Sequence, residues 1–329
     1  MTSPAPSQTT LPDFADNTMD VVIMWVDDQF PGYQDTFSQY SETSHDKNPN
    51  RTRDNLELLR FNLRALDAFL PQMRNLYLFT MRPQVPDWLK TDHPNLRVVH
   101  HDEVADPAIL PTFNSFSIMS HVHLLPGLSE HYLFLEDDMM LTRPDVLEVL
   151  QRDGLPLSMF RGKITRNADE LHPERDGPWN HALANANRIL NAAYAPSPRE
   201  YAFHGPRLFQ KSQVAALAET FSDAFAQTRA TRFRDGSNIP LEYFYPHAMV
   251  DQGLAHKATR AETDAVEGYA SLENFLPWTW FQLWKLKRQR PFSYTLNDSF
   301  GSRPNPRVER YVKSWLNREF PNPSRFERH

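Results

Sequence analysis

The sequence of 329 residues contains no cysteine, which excludes disulfide bonds and cysteine-ligated zinc and fits a reducing compartment. No lysine or arginine precedes Lys47, so residues 1–18 lack the charged start and apolar core of a secretory signal and are predicted to form a flexible tail. No apolar run approaches the ~20 residues that a membrane-spanning helix needs. We therefore expect a cytoplasmic protein that is not integral to a membrane.

Several familiar signatures are also missing. The chain has no GxxxxGK[ST] phosphate loop, no GxGxxG fingerprint, no GxSxG elbow and no HExxH motif. The net charge of -6 and the pI of about 6.1 do not provide the broad basic surface that duplex nucleic acid requires, so no nucleic-acid partner is expected. A bound nucleotide would have to be held by a metal ion, by arginine or by helix N-termini.

Apolar patterns predict an α/β fold. The run VVIMWV (21–26) is typical of a strand buried on both faces, and leucines between 56 and 70 recur at helical spacing before Pro71. Further predicted elements are strands at 75–81, 96–102 and 132–136 and a helix at 113–125. This order favours a mainly parallel sheet flanked by helices.

The predicted organisation is one elaborated catalytic domain over residues 19–300, followed by a C-terminal tail or extension over 301–329. Beyond about residue 150 the patterns weaken. There we expect a more irregular, helical part, because many of the 27 prolines interrupt regular structure.

Acidic residues follow two predicted strands. Glu136, Asp137 and Asp138 come after one apolar run, and Asp27 comes after another. Ligands of open α/β sheets bind beyond the carboxyl ends of the strands, so these acids could share one crevice. Strand geometry would direct Glu136 and Asp138 to one side and Asp137 to the other. Hard oxygen ligands suit Mg²⁺ or Mn²⁺, and the alternative is a solvated strand end.

Two further sites are candidates. Arg53, Asp54 and Asn55 stand at the predicted N-terminus of the leucine-rich helix, where an anion could bind; the alternative is a helix cap beside a surface arginine. His204 precedes Gly205 and Pro206, whose tight turn would hold it at a loop edge as a general base or acid; the alternative is a structural histidine.

The segment LPWTWFQLWKLKRQR (276–290) interleaves tryptophans with basic residues. It could make a peripheral contact with an anionic membrane or stack on sugar rings. The alternative is a set of tryptophans packed under a lid, with a basic outer face.

Longer stretches carry a family resemblance. MDVVIMWVDD, RDNLELLRFNLRALDAFLPQMRNLYLFTMRPQVPDWL, LPTFNSFSIMSHVHLLPGLSEHYLFLEDDMML, YAFHGPRLF, RFRDGSNIPLEYFYPH and YTLNDSF occur in this order between about Met19 and Phe300. Together they resemble the Stealth family of sugar-1-phosphate transferases, which includes bacterial capsule polymerases.

The resemblance implies a nucleotide-binding, glycosyltransferase-like fold that uses a divalent metal. Such an enzyme would transfer a hexose-1-phosphate, typically from a UDP-sugar, to a hydroxyl of an oligo- or polysaccharide acceptor. It would form a phosphodiester and release UMP in capsule or exopolysaccharide synthesis. We expect N-acetylhexosamine-1-phosphate as the transferred group.

The resemblance also implies residue roles. Trp25 and Asp27 would lie beside the nucleotide, and Arg53, Asp54 and Asn55 would line the donor site. The remaining roles are metal binding by Asp137 and Asp138, catalysis by His204, phosphate binding by Arg234, and a closing pair formed by Asn297 and Asp298.

The chain departs from the family pattern at Met24, Asp28 and Asn238, where threonine, glycine and an acid are expected. Two other functions stay open: a metal-dependent glycosyltransferase that releases UDP, and a non-catalytic protein that binds a nucleotide-sugar or glycan. The residues carry no signal for the oligomeric state.

Overall fold

The computed structural model describes residues 19–41, 54–301 and 303–328. The strands are β1 (Asp20–Trp25), β2 (Leu76–Thr80), β3 (Leu96–His100), β4 (His131–Glu136), β5 (Met139–Leu141), β6 (Gln151–Arg152), β7 (Leu155–Ser158), β8 (Phe160–Ile164), β9 (Glu200–Ala202), β10 (Arg207–Gln210), β11 (His256–Lys257), β12 (Glu267–Leu272) and β13 (Ser293–Asp298). The helices are α1 (Tyr33–Tyr40), α2 (Leu58–Phe69), α3 (Ser115–Ser120), α4 (Val146–Val149), α5 (Pro178–Ala193), α6 (Lys211–Thr220), α7 (Ser222–Ala230), α8 (Leu241–Asp251), α9 (Arg260–Val266), α10 (Leu276–Gln289) and α11 (Pro306–Glu319).

The central sheet has the strand order β10-β4-β1-β2-β3. Strands β1 to β4 run parallel to one another, and β10 pairs antiparallel with β4 at the edge of this sheet. Val21, Val22 and Ile23 are fully buried in the middle of this sheet, as expected for a strand covered on both faces. The predicted α/β class with a mainly parallel sheet is confirmed.

A second sheet, of order β12-β13-β5, joins the first through a very short connection. Strand β4 ends at Glu136 and β5 begins at Met139, so only Asp137 and Asp138 lie between the two sheets. Gly268 allows β12 to approach β13 closely, because a Cβ there would lie 2.5 Å from the Ser293 carbonyl oxygen. The acidic residues therefore occupy the junction of the two sheets.

The leucine-rich helix does not begin where the sequence predicted. Helix α2 starts at Leu58, and residues 54–57 form a turn closed by a hydrogen bond from the Glu57 N–H to the Asp54 carbonyl. Glu57 has φ of 57°, which lies in the left-handed region and interrupts right-handed helical geometry before α2. The N-cap is Glu57, so the placement of the helix N-terminus at Asp54 was wrong by three residues.

The later part of the chain contains more strands than the sequence predicted. The predicted helix 113–125 is reduced to α3 and a 3₁₀ turn at Val122–Leu124, and β12 and β13 lie in the region expected to be irregular and helical. Helix α11 packs into the core through Val308, Val312 and Trp315. Among the described residues, no helix combines the length and the apolar character that crossing a lipid bilayer requires.

Candidate active site at the junction of the two sheets

The turn between β4 and β5 is held in place from two sides. The buried Asn62 of α2 donates a hydrogen bond of 2.9 Å to the carbonyl of Glu136. On the other side, the N–H of Leu296 in β13 donates to the carbonyl of Asp138 at 3.0 Å. The turn is therefore held through its own backbone carbonyls, and these hydrogen bonds do not use its side-chain carboxylates.

Glu136, Asp138 and His204 form one cluster. His204 Nδ1 lies 3.7 Å from Glu136 Oε1, and its Nε2 lies 3.5 Å from Asp138 Oδ2. One potential ligand atom from each side chain lies within 4.8 Å of the others, which is compatible with a shared metal ion. Asp138 Oδ1 is buried and has no hydrogen-bond partner among the described residues, as expected if a cation is its partner.

His204 is held by its backbone on the loop between β9 and β10. Its N–H donates to Glu267 Oε1 at 3.2 Å, and its carbonyl accepts from Thr295 Oγ1 at 2.9 Å. A Cβ at Gly205 would lie 2.5 Å from the Phe203 ring, so glycine permits the tight turn. Burial lowers the pKa of His204, but the charges of Glu136 and Asp138 outweigh this effect, so the pKa is raised above its ordinary value.

Arg207 is a residue of this site that the sequence did not single out. Its side chain is buried, with Nη1 at 3.9 Å from Glu136 Oε1. Among the described residues, its Nε and Nη1 atoms make no hydrogen bond. Burial lowers the pKa of Arg207 although the charges of Glu136 and Glu242 oppose this change. The only sequence signal was an arginine three positions after His204.

A second acidic group, formed by Asp54 and Asp27, interacts with Asp137 of the turn. The Asp54 N–H is 3.4 Å from Asp27 Oδ1, and Trp25 lies beside the Asp54 carboxyl. Burial and the charge of Asp27 raise the pKa of Asp54 to about 7. Burial also raises the pKa of Asp137 well above its ordinary value, and the charges of Asp138 and Asp54 raise it further. These acids therefore resist full ionisation without a cation.

The three acids of the turn have different neighbours. Glu136 and Asp138 join His204, whereas the charges of Asp138, Asp54 and Glu136 all raise the pKa of the buried Asp137. The expected alternation of the three side chains stays a prediction. Asp137 is not part of the three-residue cluster, and its assignment as a metal ligand stays a prediction.

The end of β1 is fixed by Gln84. The Asp27 N–H donates to Gln84 Oε1 at 2.8 Å, and Gln84 Nε2 donates to the Asp27 carbonyl at 3.0 Å. Asn55 reaches a different neighbour, because its side-chain amide donates to Glu309 of α11. Its Oδ1 is buried and makes no hydrogen bond among the described residues. Arg53 lies outside those residues.

Arg234 lies in the loop before α8 and contacts α3. Its guanidinium donates to Ser115 Oγ at 3.1 and 2.6 Å and lies over the Phe116 ring at 4.9 Å. Its positive charge acts to lower the pKa of Glu242, although burial and the charge of Glu136 raise that pKa overall. Arg234 and Glu136 therefore both act on the Glu242 carboxyl, with opposite effects on its pKa.

Asn238, where the family resemblance suggested an acid, is fully buried. Its Oδ1 accepts hydrogen bonds from the Asn114 side chain and from the Asp235 N–H, both at 2.9 Å. Its amide donates to Thr231 Oγ1 at 2.8 Å. Asn238 thus stabilises the loop that carries Arg234.

Asn297 and Asp298 are the last two residues of β13. They directly follow Leu296, whose N–H donates to the Asp138 carbonyl of the acidic turn. Asn297 Nδ2 donates to Ser299 Oγ at 3.0 Å, and Asp298 Oδ1 accepts from the Phe300 N–H at 2.7 Å. The structure thus brings this pair near the acidic turn through β13. The catalytic assignments stay predictions.

Comparison of the sequence with family models gives one match. Residues 51–152 match Stealth protein conserved region 2. This region includes Asp54, Asn55 and the acidic turn between β4 and β5. It covers part of the chain, and His204, Arg234 and β13 lie beyond it.

Curated relatives extend the similarity. The chain is 34% identical over 234 residues to an exopolysaccharide phosphotransferase of Streptomyces coelicolor, covering 70% of this chain and 39% of the relative. It is 29% identical over 320 residues to the exopolysaccharide phosphotransferase CpsY of Mycobacterium tuberculosis, covering 94% of this chain and 58% of that protein. The chain therefore spans about two fifths to three fifths of the length of these relatives.

Among solved structures, the galactosyltransferase LgtC in complex with donor and acceptor sugar analogues matches with a TM-score of 0.44 and 8% identity, covering 92% of this chain and 95% of LgtC. The bifunctional glycosyltransferase WbbM matches with a TM-score of 0.45 and 12% identity, covering 96% of this chain and 52% of WbbM. We draw no functional conclusion from similarities of this size.

Proposed function

The chain belongs to the Stealth family, and we propose that it transfers a hexose-1-phosphate from a UDP-sugar to a hydroxyl of a saccharide acceptor. The transferred group is N-acetylhexosamine-1-phosphate, and the setting is capsule or exopolysaccharide synthesis. The observation that carries this proposal is the cluster of Glu136, Asp138 and His204 beyond the carboxyl end of β4. It combines carboxylates for a cation with a histidine that can take a proton.

A divalent cation fits this cluster, and we propose Mg²⁺ or Mn²⁺. Glu136 and Asp138 provide hard oxygen ligands, and Asp138 Oδ1 lacks a partner among the described residues. Asp137, whose carboxyl interacts with those of Asp138 and Asp54, is proposed as a further acidic contact. When bound, the metal neutralises charge on the phosphoryl oxygens during transfer.

His204 accepts the proton of the acceptor hydroxyl in this proposal. The hydroxyl oxygen attacks the β-phosphorus of the donor, which carries the sugar; a new P–O bond forms, and the bond from this phosphorus to the oxygen of the leaving UMP breaks. Glu136, near Nδ1, orients the imidazole and stabilises its protonated form. The products are a sugar phosphodiester and UMP.

The remaining residues bind the donor. Trp25 and Asp27 contact the nucleotide, and Arg53, Asp54 and Asn55 line the donor pocket. Arg234 supplies positive charge to the phosphates from the loop before α8. The closing pair, Asn297 and Asp298, is positioned by the same strand that bonds the acidic turn.

Product analysis tests this proposal. The wild-type chain is incubated with UDP-N-acetylglucosamine, Mn²⁺ and a mixed set of oligosaccharides, and the released nucleotide is separated by chromatography. We expect UMP, and we expect His204→Ala to lower its rate of formation by about 100-fold or more. His172→Ala, an exposed histidine outside the cluster, is the control and should retain the rate.

Three outcomes would contradict the proposal in whole or in part. Release of UDP in place of UMP would identify an ordinary glycosyltransferase or a hydrolase. Donor binding with no turnover across UDP-hexoses and acceptors would identify a non-catalytic binding protein. A His204→Ala variant with a rate within severalfold of the wild type would remove His204 from the base role.

A further inference from the structure

Helix α10 and the residues beside it expose a concentrated set of apolar side chains. Ten large hydrophobic residues of the described chain are exposed, and six of them lie between Phe275 and Trp284. Their exposed fractions run from 37% for Leu276 to 65% for Phe275. Single exposed apolar residues are normal, but a cluster of this kind marks an interaction surface.

The other face of α10 already anchors the helix. Thr279, Leu283 and Leu286 are buried, and the two leucines pack into the core that α11 also lines. The outer rings contact one another: the centroids of Trp280 and Trp284 are 6.3 Å apart, and those of Phe281 and Trp284 are 5.9 Å apart. Folding of the chain therefore leaves these rings in solvent.

The same segment is strongly basic at its C-terminal end. Residues 275–290 contain no aspartate or glutamate, whereas the whole chain has a net charge of -6. The four cations are Lys285, Lys287, Arg288 and Arg290, all exposed. Lys287 pairs with Glu319, and the Arg288 guanidinium lies 5.6 Å from the centroid of the Trp284 ring.

We propose that this aromatic-basic face, residues 275–290, docks on the surface of a membrane that contains anionic phospholipid. The aromatic rings enter the boundary between headgroups and acyl chains, and the lysines and arginines contact lipid phosphates. The match of apolar and positive chemistry along one exposed helix carries the proposal. It does not depend on the proposed phosphotransfer.

The spread of the exposed rings around the helix favours a lipid surface over a saccharide chain as the binding partner. Trp278 and Trp280 are two positions apart, so they project about 160° from each other around the helix. A single glycan chain would contact rings along one line. A fluid interface can surround rings that spread over a convex surface.

Docking would also orient the candidate active site. The Asn274 side chain, just before α10, donates to the Phe300 carbonyl. Leu272 pairs with Asp298 in neighbouring strands, so the aromatic end of the face lies next to the end of β13. Docking through α10 would therefore hold the strand that bonds the acidic turn close to the membrane surface.

Vesicle flotation tests the proposal. The full chain is mixed with phosphatidylcholine vesicles with and without phosphatidylglycerol, and the bound fraction is measured against lipid concentration. We expect binding to the anionic vesicles, with a partition coefficient reduced on the order of a hundredfold in Trp280→Ser/Trp284→Ser. Trp179→Ser is the matched control, because Trp179 has a similar exposed fraction of 39% away from this face.

A charge variant tests the second half of the claim. Lys285→Gln/Arg288→Gln should lower the partition coefficient by about 25-fold at low salt, and the difference should shrink at high salt. Lys163→Gln/Arg188→Gln, two exposed cations elsewhere, should have little effect.

Three results would overturn the proposal: equal binding of the wild type to both kinds of vesicle, unchanged binding of the tryptophan variant, or no vesicle binding by the wild type. If the wild type does not bind vesicles, self-association measured by sedimentation would identify the face as a contact between two copies of this chain. Binding to a soluble glycan would instead identify it as a binding surface for the saccharide acceptor.

Discussion

Replacing Asp54 by asparagine should stabilise the metal-free protein at alkaline pH. Asp54 lies in the turn before α2, with its carboxyl near Asp27 and Asp137. Burial, followed by the charge of Asp27, raises its pKa from 3.8 to about 7. The folded state therefore holds a proton on Asp54 that the unfolded chain has already lost.

The sign of the pH dependence follows from this difference. Below pH 3.8 the group is protonated in both states and contributes nothing. As the pH rises from 3.8 to about 7, only the unfolded state gains the charge, so the free energy of unfolding falls. Above about pH 7 the charge is present in both states, and the full cost remains.

The size of the effect can be estimated. A pKa difference of about three corresponds to about 4 kcal/mol, which is an upper limit because Asp54 retains some contact with solvent. A neutral amide at this position would also relieve the charge repulsion on Asp137. We expect Asp54→Asn to raise the free energy of unfolding by about 2 to 4 kcal/mol at pH 8 and by much less at pH 4.

Urea unfolding in EDTA, followed by tryptophan fluorescence at both pH values, measures this difference. Asp92→Asn, which changes an exposed carboxyl, is the control and should stay within about 0.5 kcal/mol of the wild type. A destabilised Asp54→Asn variant at pH 8, or an equal change at both pH values, would refute the reasoning. The stabilised variant should still lose the proposed sugar-phosphate transfer, because an active site can carry charges that cost stability.

Three further predictions concern the same region. Mn²⁺ should raise the melting temperature of the wild type in scanning fluorimetry but not that of Asp138→Asn, which has a neutral amide in place of the carboxylate. An equal rise in both proteins would exclude Asp138 as a metal ligand. Arg207→Met should tighten Mn²⁺ binding severalfold by calorimetry, because it removes a positive charge 3.9 Å from a Glu136 oxygen; weaker binding would contradict this. Gly268→Ala should lower the free energy of unfolding in urea by about 3 kcal/mol or more, because the added methyl would lie 2.5 Å from a strand carbonyl oxygen. Gly177→Ala is the control: its methyl meets no atom within 4 Å, so the loss should be less than about 1 kcal/mol. Similar losses for both variants would show that the strands can move apart.

The strands of the central sheet were predictable because their apolar runs are local. Residues 21–26 predicted β1 to within one position, and the acids after β4 stood out because charge interrupts a buried run. The start of α2 was not predictable from its leucines. Glu57 adopts a left-handed backbone conformation that its residue type does not predict.

The meeting of His204 with the acidic turn depends on contacts between distant segments. Strand β13, with the mixed sequence SYTLND, was not predicted, yet it bonds both the Asp138 carbonyl and the His204 carbonyl. Arg207 was missed for a similar reason, since an arginine gives no sign in sequence that it will be buried beside Glu136. The order of the motifs suggested that His204 and the acidic turn belong to one site. The junction of the two sheets is what brings them together in the structure.

The most direct test of the proposed function is ³¹P NMR of the wild-type chain with UDP-N-acetylglucosamine, Mg²⁺ and oligosaccharide acceptors. Transfer of sugar-1-phosphate predicts a new phosphodiester resonance that grows together with UMP and is absent with His204→Ala. Growth of UDP without a phosphodiester resonance would contradict the account.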